Sequence, residues 1–189
     1  NTPYGVRLMA PSYVDHAFEG ALMLLFNPST KENGGIFSQP QGWIILAESL
    51  VGHGNRAFEY FTESSPASMN DKAEIRKLEP YCHGQFTESS DSPFEGRAHV
   101  HWLTGTASTV MVGCVEGIDG LRIAPSVPSD WREFEINKDF RGKKLHIVVK
   151  NPNGAENGYK SLVVNGKEMS DNYIAASELA DINEIILTM

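Results

Sequence analysis

Three short loops combine polar side chains with glycine and aromatic residues, a combination that suits a ligand site. They span residues 31–43, 79–85 and 99–107. The first and third loops precede segments with a helical pattern, and a helix amino terminus offers unpaired N–H groups and a positive dipole end to an anion. At Thr104-Gly105 a hydroxyl and a bare N–H can approach one oxyanion. The loops therefore indicate an anion site, although Thr-Gly-Thr ahead of a helix is also typical of a plain cap.

Several residues of these loops also have a purely structural interpretation. Lys31 and Glu32 can form a solvated ion pair, Gly34-Gly35 can form a turn, and Gln85 can face solvent. Aromatic side chains can stack on the flat face of a ligand, although we expect Trp43 to pack in the core instead. The three candidates for stacking are Trp43, Tyr81 and Trp102.

Metal and nucleophile chemistry find little support in the sequence. No Cys or carboxylate at ligand spacing completes a metal site with His83, His99 and His101, although His101 can line the anion pocket. We expect the serine pairs at 64–65 and 89–90 to be loop residues, because no base accompanies them. Three aspartates outside the loops are expected to be surface charges: Asp15, Asp71 and Asp91.

Helices are predicted around two of these loops. Residues 43–51 place apolar side chains at helical spacing and stop at a Gly-His-Gly turn. Asn55 is expected to cap a second helix that ends before Pro66, which would give an αα-hairpin. A third helix of small residues is predicted from Thr106 to Glu116. The apolar run 21–26, by contrast, is predicted to be a buried strand.

After Gly117 the pattern changes to short strands. Strands are predicted at 144–150, 159–164 and 184–187, with turns at 151–154 and at Asn165-Gly166, a strong hairpin signal. This half is typical of a small antiparallel β-sandwich. The fold class is therefore mixed, with a helical part at residues 1–117 and a β-domain at 118–189.

Composition excludes several classes of partner. The chain has 189 residues, 41% of them hydrophobic, which is enough to form a folded core. Its formal net charge of −8 argues against nucleic acid or an anionic membrane as partner, and no apolar stretch is long enough to span a bilayer. With only two cysteines, Cys82 and Cys114, we expect reduced thiols in a cytoplasmic protein. Because Asn1 is preceded by no Met, we expect a piece of a longer polypeptide.

Five motifs occur in a fixed order along almost the whole chain. In this order they resemble the carboxy-terminal portion of the cellobiose, cellodextrin and chitobiose phosphorylases, which are inverting, phosphate-dependent enzymes of β-linked sugars. The motifs are Lys-Glu-Asn-Gly-Gly-Ile-Phe, Glu-Pro-Tyr followed by Gln85, Trp-Leu-Thr-Gly-Thr-Ala, Asp-Gly-Leu-Arg-Ile and Phe-Arg-Gly.

The resemblance implies a fold and a mechanism. Residues 1–117 would be the carboxy-terminal strip of an (α/α)6 catalytic barrel, and 118–189 the β-sandwich that follows it. In such enzymes one Asp acts as general acid on the leaving oxygen, while phosphate attacks the anomeric carbon directly and yields α-glucose 1-phosphate. Phosphate is then a co-substrate, and no metal or other cofactor is implied.

The resemblance also assigns residues. Lys31, Glu32 and Gln85 match positions that bind the transferred glucosyl unit, and Thr104 and Gly105 match the phosphate-binding pair. Gln39 stands where cellobiose phosphorylases have a phosphate-binding His; its amide can donate a hydrogen bond but cannot become cationic. This difference favours a cellodextrin phosphorylase over a cellobiose phosphorylase. No Asp of this chain matches the general acid, which is expected upstream.

The expected partners are a β-gluco-oligosaccharide, phosphate and the remainder of the phosphorylase chain, with a homodimer as the common family state. Two alternatives remain open. One is a cellobiose or other β-glucan phosphorylase, and the other is a non-catalytic carbohydrate-binding fragment. The family also has several more residues between Ile118 and Asp119, so either this protein is shortened there or residues are missing.

Overall fold

The computed structural model describes residues 1–14, 22–114 and 120–189. Contacts divide the chain into two compact units, Asn1–Leu46 with Glu59–Cys114 and Ala47–Phe58 with Val115–Met189. The change of pattern predicted near Gly117, the Ile118–Asp119 junction and Asp15 lie outside the described residues. None of the described helices is both long and apolar enough to cross a membrane.

The first unit contains a small antiparallel sheet, and helices precede and follow its strands in the sequence. Its sheet has the order β1-β2-β3, with Phe37 opposite Phe86 and Gly84 opposite His101. Short 3-10 helices span Leu22–Leu25 and Pro66–Lys72. The elements that begin in this unit are β1 (Ile36–Phe37), α1 (Ser38–Leu50), α3 (Ala73–Arg76), β2 (Gly84–Thr87), β3 (Ala98–His101) and α4 (Thr106–Cys114).

A turn at the predicted Gly-His-Gly sequence joins α1 to the next helix, α2. Gly52, at a φ of 85°, ends α1: its N–H bonds to Ser49 O at 3.1 Å, and the His53 N–H bonds to Glu48 O at 2.9 Å. The second helix, α2 (Gly54–Ser64), begins one residue before Asn55. The prediction that Asn55 caps it is wrong, because Asn55 Oδ1 instead accepts the Ser129 N–H at 2.9 Å.

The second unit is built on a five-stranded sheet and a two-stranded sheet. The five-stranded sheet has the order β5-β6-β10-β7-β8, and β4 pairs with β9. Alternate residues of β6 (Leu145, Ile147 and Val149) are buried in a core that β4 and β9 share. The strands are β4 (Gly120–Arg122), β5 (Glu133–Phe140), β6 (Lys143–Lys150), β7 (Ser161–Val164), β8 (Lys167–Glu168), β9 (Tyr173–Ala175) and β10 (Ile182–Thr188).

Local turn signals predict the hairpins of this unit correctly. Asn165 and Gly166 both have positive φ, of 50° and 81°, and they join β7 to β8 as predicted. Arg141 and Gly142 make an equivalent turn between β5 and β6. The Gly154 N–H bonds to Asn151 O at 3.2 Å in the turn after β6.

Three sequence predictions about these elements are wrong. The sheet is not wholly antiparallel, because β10 enters between β6 and β7 and runs parallel to β6. The 21–26 run is not a buried strand: Leu22 and Leu25 lie in a 3-10 helix and are 77% and 78% exposed. Trp43 is 58% exposed, so it is not a core residue of its unit.

Candidate functional site

Four of the six predicted ligand residues lie at one end of the β1-β2-β3 sheet, namely Gln39, Gln85 and the adjacent Thr104 and Gly105. Because neighbouring strands are antiparallel, the carboxyl ends of β1 and β3 meet the amino end of β2. Gln39 follows the last residue of β1 closely, Gln85 is in the first half of β2, and Thr104 follows β3 closely. The topology thus gathers residues that are far apart in sequence.

Gln39 lies directly against Gly105. A Cβ added at Gly105 would be 3.3 Å from both Cδ and Nε2 of Gln39, which is closer than most such contacts. The Gln39 side chain is exposed, and its amide is adjacent to the start of α4. A hydrogen-bond donor and a helix amino terminus therefore share one place, as an anion site requires.

Thr104 caps α4. Its Oγ1 accepts the Thr106 N–H at 3.2 Å and lies 2.5 Å from Thr106 Oγ1. Both interpretations of this Thr-Gly-Thr run are compatible with that geometry, since a capping hydroxyl also stands beside the unpaired N–H groups of the first turn.

Close packing of α1 and α4 brings the two loops together. Gly42 is buried, and a Cβ there would be 2.7 Å from the Thr109 carbonyl carbon. Thr109 Oγ1 also donates to Gln39 O at 3.0 Å. The glycine and the hydrogen bond fix Gln39 relative to the first turn of α4.

Lys31 sits at the beginning of a tightly wound loop. Its φ is 43°, and its Nζ lies 5.5 Å from the Phe26 ring centroid and 5.9 Å from the Phe86 ring centroid. Asn33 is 1% exposed and holds the loop: its amide donates to Tyr13 O and Phe26 O, both at 2.9 Å. The backbone around Lys31 is therefore rigidly supported.

A network of polar side chains also supports the loop that carries Lys31, through hydrogen bonds to the carbonyl oxygen of Gly34. Asp91 pairs with Arg7 and accepts the Ser12 hydroxyl at 2.8 Å. These hydrogen bonds, from Ser12 first and then Arg7, lower the pKa of Asp91 to about 2. Asp91 is exposed, as predicted for a surface charge, and it also pairs with Arg7 in this network. Ser89, predicted to be a simple loop residue, is 0% exposed and belongs to this network.

The side chains of Glu32 and Gln85 make no hydrogen bond or ion pair with the described residues. Glu32 is exposed and Gln85 is partly exposed. Along β2, Phe86 is buried and Gln85 points to the opposite face. Lys31 lies near the ring of Phe86, which is the neighbour of Gln85 in β2. No contact between Lys31 and Gln85 themselves is present among the described residues.

Comparison with known proteins identifies the family. Residues 1–120 match the family described as glycosyl hydrolase 94 superfamily, catalytic domain. The chain belongs to the glycosyl hydrolase 94 superfamily.

Several curated relatives of the chain are named as phosphorylases. The chain is 38% identical to an N,N'-diacetylchitobiose phosphorylase of Vibrio furnissii and 34% identical to one of Vibrio proteolyticus, over 88% and 100% of its length. A solabiose phosphorylase of Paenibacillus borealis is 28% identical over 90% of the chain. The chain spans only 22%, 24% and 23% of these relatives' lengths.

Tyr81 and Trp102, which belong to two of the motifs described above, form an exposed aromatic pair. The rings of Tyr81 and Trp102 are 5.8 Å apart, and the two side chains are 72% and 61% exposed. His101 Nδ1, 3.2 Å from Glu79 Oε2, links the two loops that carry them. Trp102 has a φ of 65°, which is unusual for a bulky residue.

His99 and His83 have different neighbours: a carboxylate for His99 and an arginine for His83. His99 Nε2 lies 2.6 Å from Glu88 Oε1, a contact for which the sequence contains no local signal. His83 lines a small cavity (≈ 20 Å³) beside Arg76, and burial followed by the Arg76 charge lowers its pKa. Within the described residues, no group of three His, Cys, Asp or Glu side chains is arranged to hold a metal ion.

Proposed function

We propose that this chain is the carboxy-terminal part of an inverting glycoside phosphorylase, comprising a strip of an (α/α)6 catalytic barrel and a β-sandwich. The complete enzyme would transfer a glucosyl unit from a β-linked gluco-oligosaccharide to inorganic phosphate and release α-glucose 1-phosphate. The observation that supports this most is the approach of Gln39 to Gly105 at the amino terminus of α4. Two loops that carry family motifs thereby present donors to one position.

In this proposal phosphate binds at the first turn of α4. Thr104 and Gly105 offer a hydroxyl and a backbone N–H, and Gln39 adds a neutral amide donor. The helix dipole favours the dianion, which must be held in line with the anomeric carbon. A phosphate oxygen attacks that carbon while the bond to the leaving sugar oxygen breaks, which inverts the configuration.

The leaving oxygen receives a proton from a general acid. We assign that role to an Asp in the part of the enzyme beyond this chain. Lys31, Glu32 and Gln85 would hold the transferred sugar through its hydroxyl groups. Phosphate itself is the nucleophile, so no second carboxylate is required to activate a water molecule.

The identity of the sugar divides into two candidates. Gln39, in place of the His of cellobiose phosphorylases, favours cellodextrins as substrates. N,N'-diacetylchitobiose is the second candidate, because the relatives that are 38% and 34% identical are named for it. We also propose a cytoplasmic enzyme that acts without metal and forms homodimers.

The experiment is a product assay on the complete polypeptide. It is incubated with phosphate and with cellobiose, cellotriose or N,N'-diacetylchitobiose, and the sugar 1-phosphate is measured for each. Phosphate-dependent release of α-glucose 1-phosphate from cellotriose supports the proposal. Preferential use of N,N'-diacetylchitobiose moves the substrate to the second candidate, and release of free sugar without phosphate overturns the phosphorylase assignment.

Thr104 provides the mutational arm of this test. In the complete enzyme, Thr104→Ala is expected to raise the KM for phosphate and to lower turnover, at a cost of about 1–3 kcal/mol for a lost hydrogen bond to a charged ligand. Thr104→Ser retains the hydroxyl and is the matched control. An unchanged phosphate dependence in Thr104→Ala removes this residue from the site.

A further inference from the structure

Among the described residues, the neighbours of the Lys31 ammonium group are two aromatic rings and not the partner of an ion pair. Its Nζ is within 6 Å of two ring centroids, at 5.5 Å for Phe26 and 5.9 Å for Phe86. No carboxylate among the described residues forms an ion pair with Lys31. A cation held by ring faces keeps its three N–H donors for another partner. The geometry therefore suits an ammonium group that binds a ligand oxygen.

Phe86 is itself buried and is held by a stacked ring. It is 5% exposed, and the ring of His99 stacks on it with centroids 4.9 Å apart and an interplanar angle of 11°. The His99 ring is held by Glu88, whose Oε1 lies 2.6 Å from His99 Nε2. Glu88 Oε2 also accepts the hydroxyl of Ser92.

The Glu88–His99 contact lies in the interior of the first unit. Glu88 is 6% exposed, and a carboxylate at such a depth requires hydrogen-bond partners to offset its lost hydration. The contact joins the end of β2 to β3, where Thr87 is opposite Ala98. The buried carboxylate of Glu88 thus sets the plane of the partly exposed His99 ring, which stacks on Phe86.

We propose that Phe86, backed by the Glu88–His99 pair, is a positioning residue that directs the Lys31 ammonium toward a hydroxyl group of the transferred sugar. Phe86, Glu88 and His99 need not touch the substrate in this scheme. They hold the rings against which Lys31 rests. The inference rests on the proposed function, because the ligand oxygen belongs to the sugar of the phosphorylase reaction.

A double-mutant cycle in the complete enzyme tests this inference. Phe86→Leu removes the ring but keeps an apolar side chain, and it is expected to raise the KM for the sugar substrate about 3- to 10-fold, the range of a cation–π contact. The KM for phosphate should stay within about twofold, because phosphate binds elsewhere. In a Lys31→Met background, the same Phe86→Leu change should alter the sugar KM by less than about twofold.

Phe37→Leu is the matched control. Its ring stacks on Phe86 at a centroid distance of 6.1 Å, but no contact joins it to Lys31 among the described residues. We expect it to lower thermal stability as Phe86→Leu does and to leave the sugar KM within about twofold. If Phe86→Leu does not fold, Glu88→Gln replaces it. This variant keeps the shape of the side chain and is expected to raise the sugar KM about 2- to 3-fold when Lys31 is present, and not in the Lys31→Met background.

Three outcomes contradict the inference and can be distinguished. If Phe86→Leu raises the sugar KM equally in the parent enzyme and in the Lys31→Met background, the ring acts independently of the ammonium group. A parallel rise in the phosphate KM would indicate a general structural role. If Lys31→Met leaves the sugar KM unchanged while phosphate-dependent sugar 1-phosphate release persists, the positioning scheme is overturned but the phosphorylase assignment stands.

Discussion

The hydroxyl of Ser89 donates a hydrogen bond of 2.6 Å to the carbonyl oxygen of Gly34. Ser89 is fully buried, and its Oγ also lies 2.7 Å from Ser29 Oγ. Gly34 has a φ of 83°, and a Cβ there would be 2.3 Å from Ser12 Oγ. The loop that carries Lys31 and Glu32 is therefore tied to the segment after β2 through atoms that solvent does not reach.

Ser89→Ala should destabilise the complete protein by about 1–3 kcal/mol, because it leaves the Gly34 carbonyl and the Ser29 hydroxyl without this partner. Urea unfolding measures the change. Ser68→Ala, at an exposed position, is the control and should stay within about 0.5 kcal/mol of the parent. Equal stability of the two variants would contradict the role given to Ser89.

Gln39→Glu should weaken phosphate binding. The substitution keeps the size of the side chain but places a carboxylate beside Gly105, where it repels a dianion. We expect the KM for phosphate to rise about tenfold or more, with a smaller change in the sugar KM. Gln85→Glu is the matched comparison and should act mainly on the sugar KM. A phosphate KM that does not respond to Gln39→Glu would exclude Gln39 from the phosphate site.

Asp91 should make the free energy of unfolding decrease at acidic pH. Its folded pKa, about 2, is lower than the usual aspartate value of about 3.9. A lowered folded pKa contributes stability that is present above about pH 4 and is lost as the pH falls toward about 2. Urea unfolding between about pH 5 and pH 2 should show this loss in the parent, and Asp91→Asn should reduce the slope. Parallel pH profiles for the two proteins would contradict it.

The stability that His146 contributes should depend on pH in the opposite direction. Hydrogen bonds to Glu184 and then to Glu135, at 2.8 and 3.1 Å, raise its pKa. The stability that its protonated form contributes is present below the unfolded pKa of about 6.5 and is lost as the pH rises through the higher folded value. NMR titration of the ring protons measures the folded pKa, and Glu184→Gln should lower it. An unchanged titration would show that Glu184 has no influence.

Signals within a few neighbouring residues predict much of the fold. Asn165-Gly166 identifies its hairpin because Asn and Gly adopt positive φ readily. The strand β6 is recognised by the apolar residues at its alternate positions, which the structure shows to be buried. The start of α4 at Thr106 also follows from a local capping pattern. The strand prediction for Leu22–Leu25 is wrong because an apolar run alone does not separate a strand from a helical turn.

Long-range contacts are not visible in the sequence. The pairing of Asp91 with Arg7 and of Glu88 with His99 depends on how distant segments meet, and neither pair has a local pattern. For the candidate site, the family motifs supply all six residues, whereas the structure adds the approach of Gln39 to Gly105. It also adds the aromatic contacts of Lys31.

The position of β10 has a consequence for how the β-domain is made during protein synthesis. Because β10 lies between β6 and β7, the five-stranded sheet cannot close until residues 182–188 have left the ribosome. Until then β5–β6 and β7–β8 exist as two separate hairpins, each with an open edge that can pair with another chain. These strand edges therefore stay open to aggregation until β10 has emerged and paired with both hairpins.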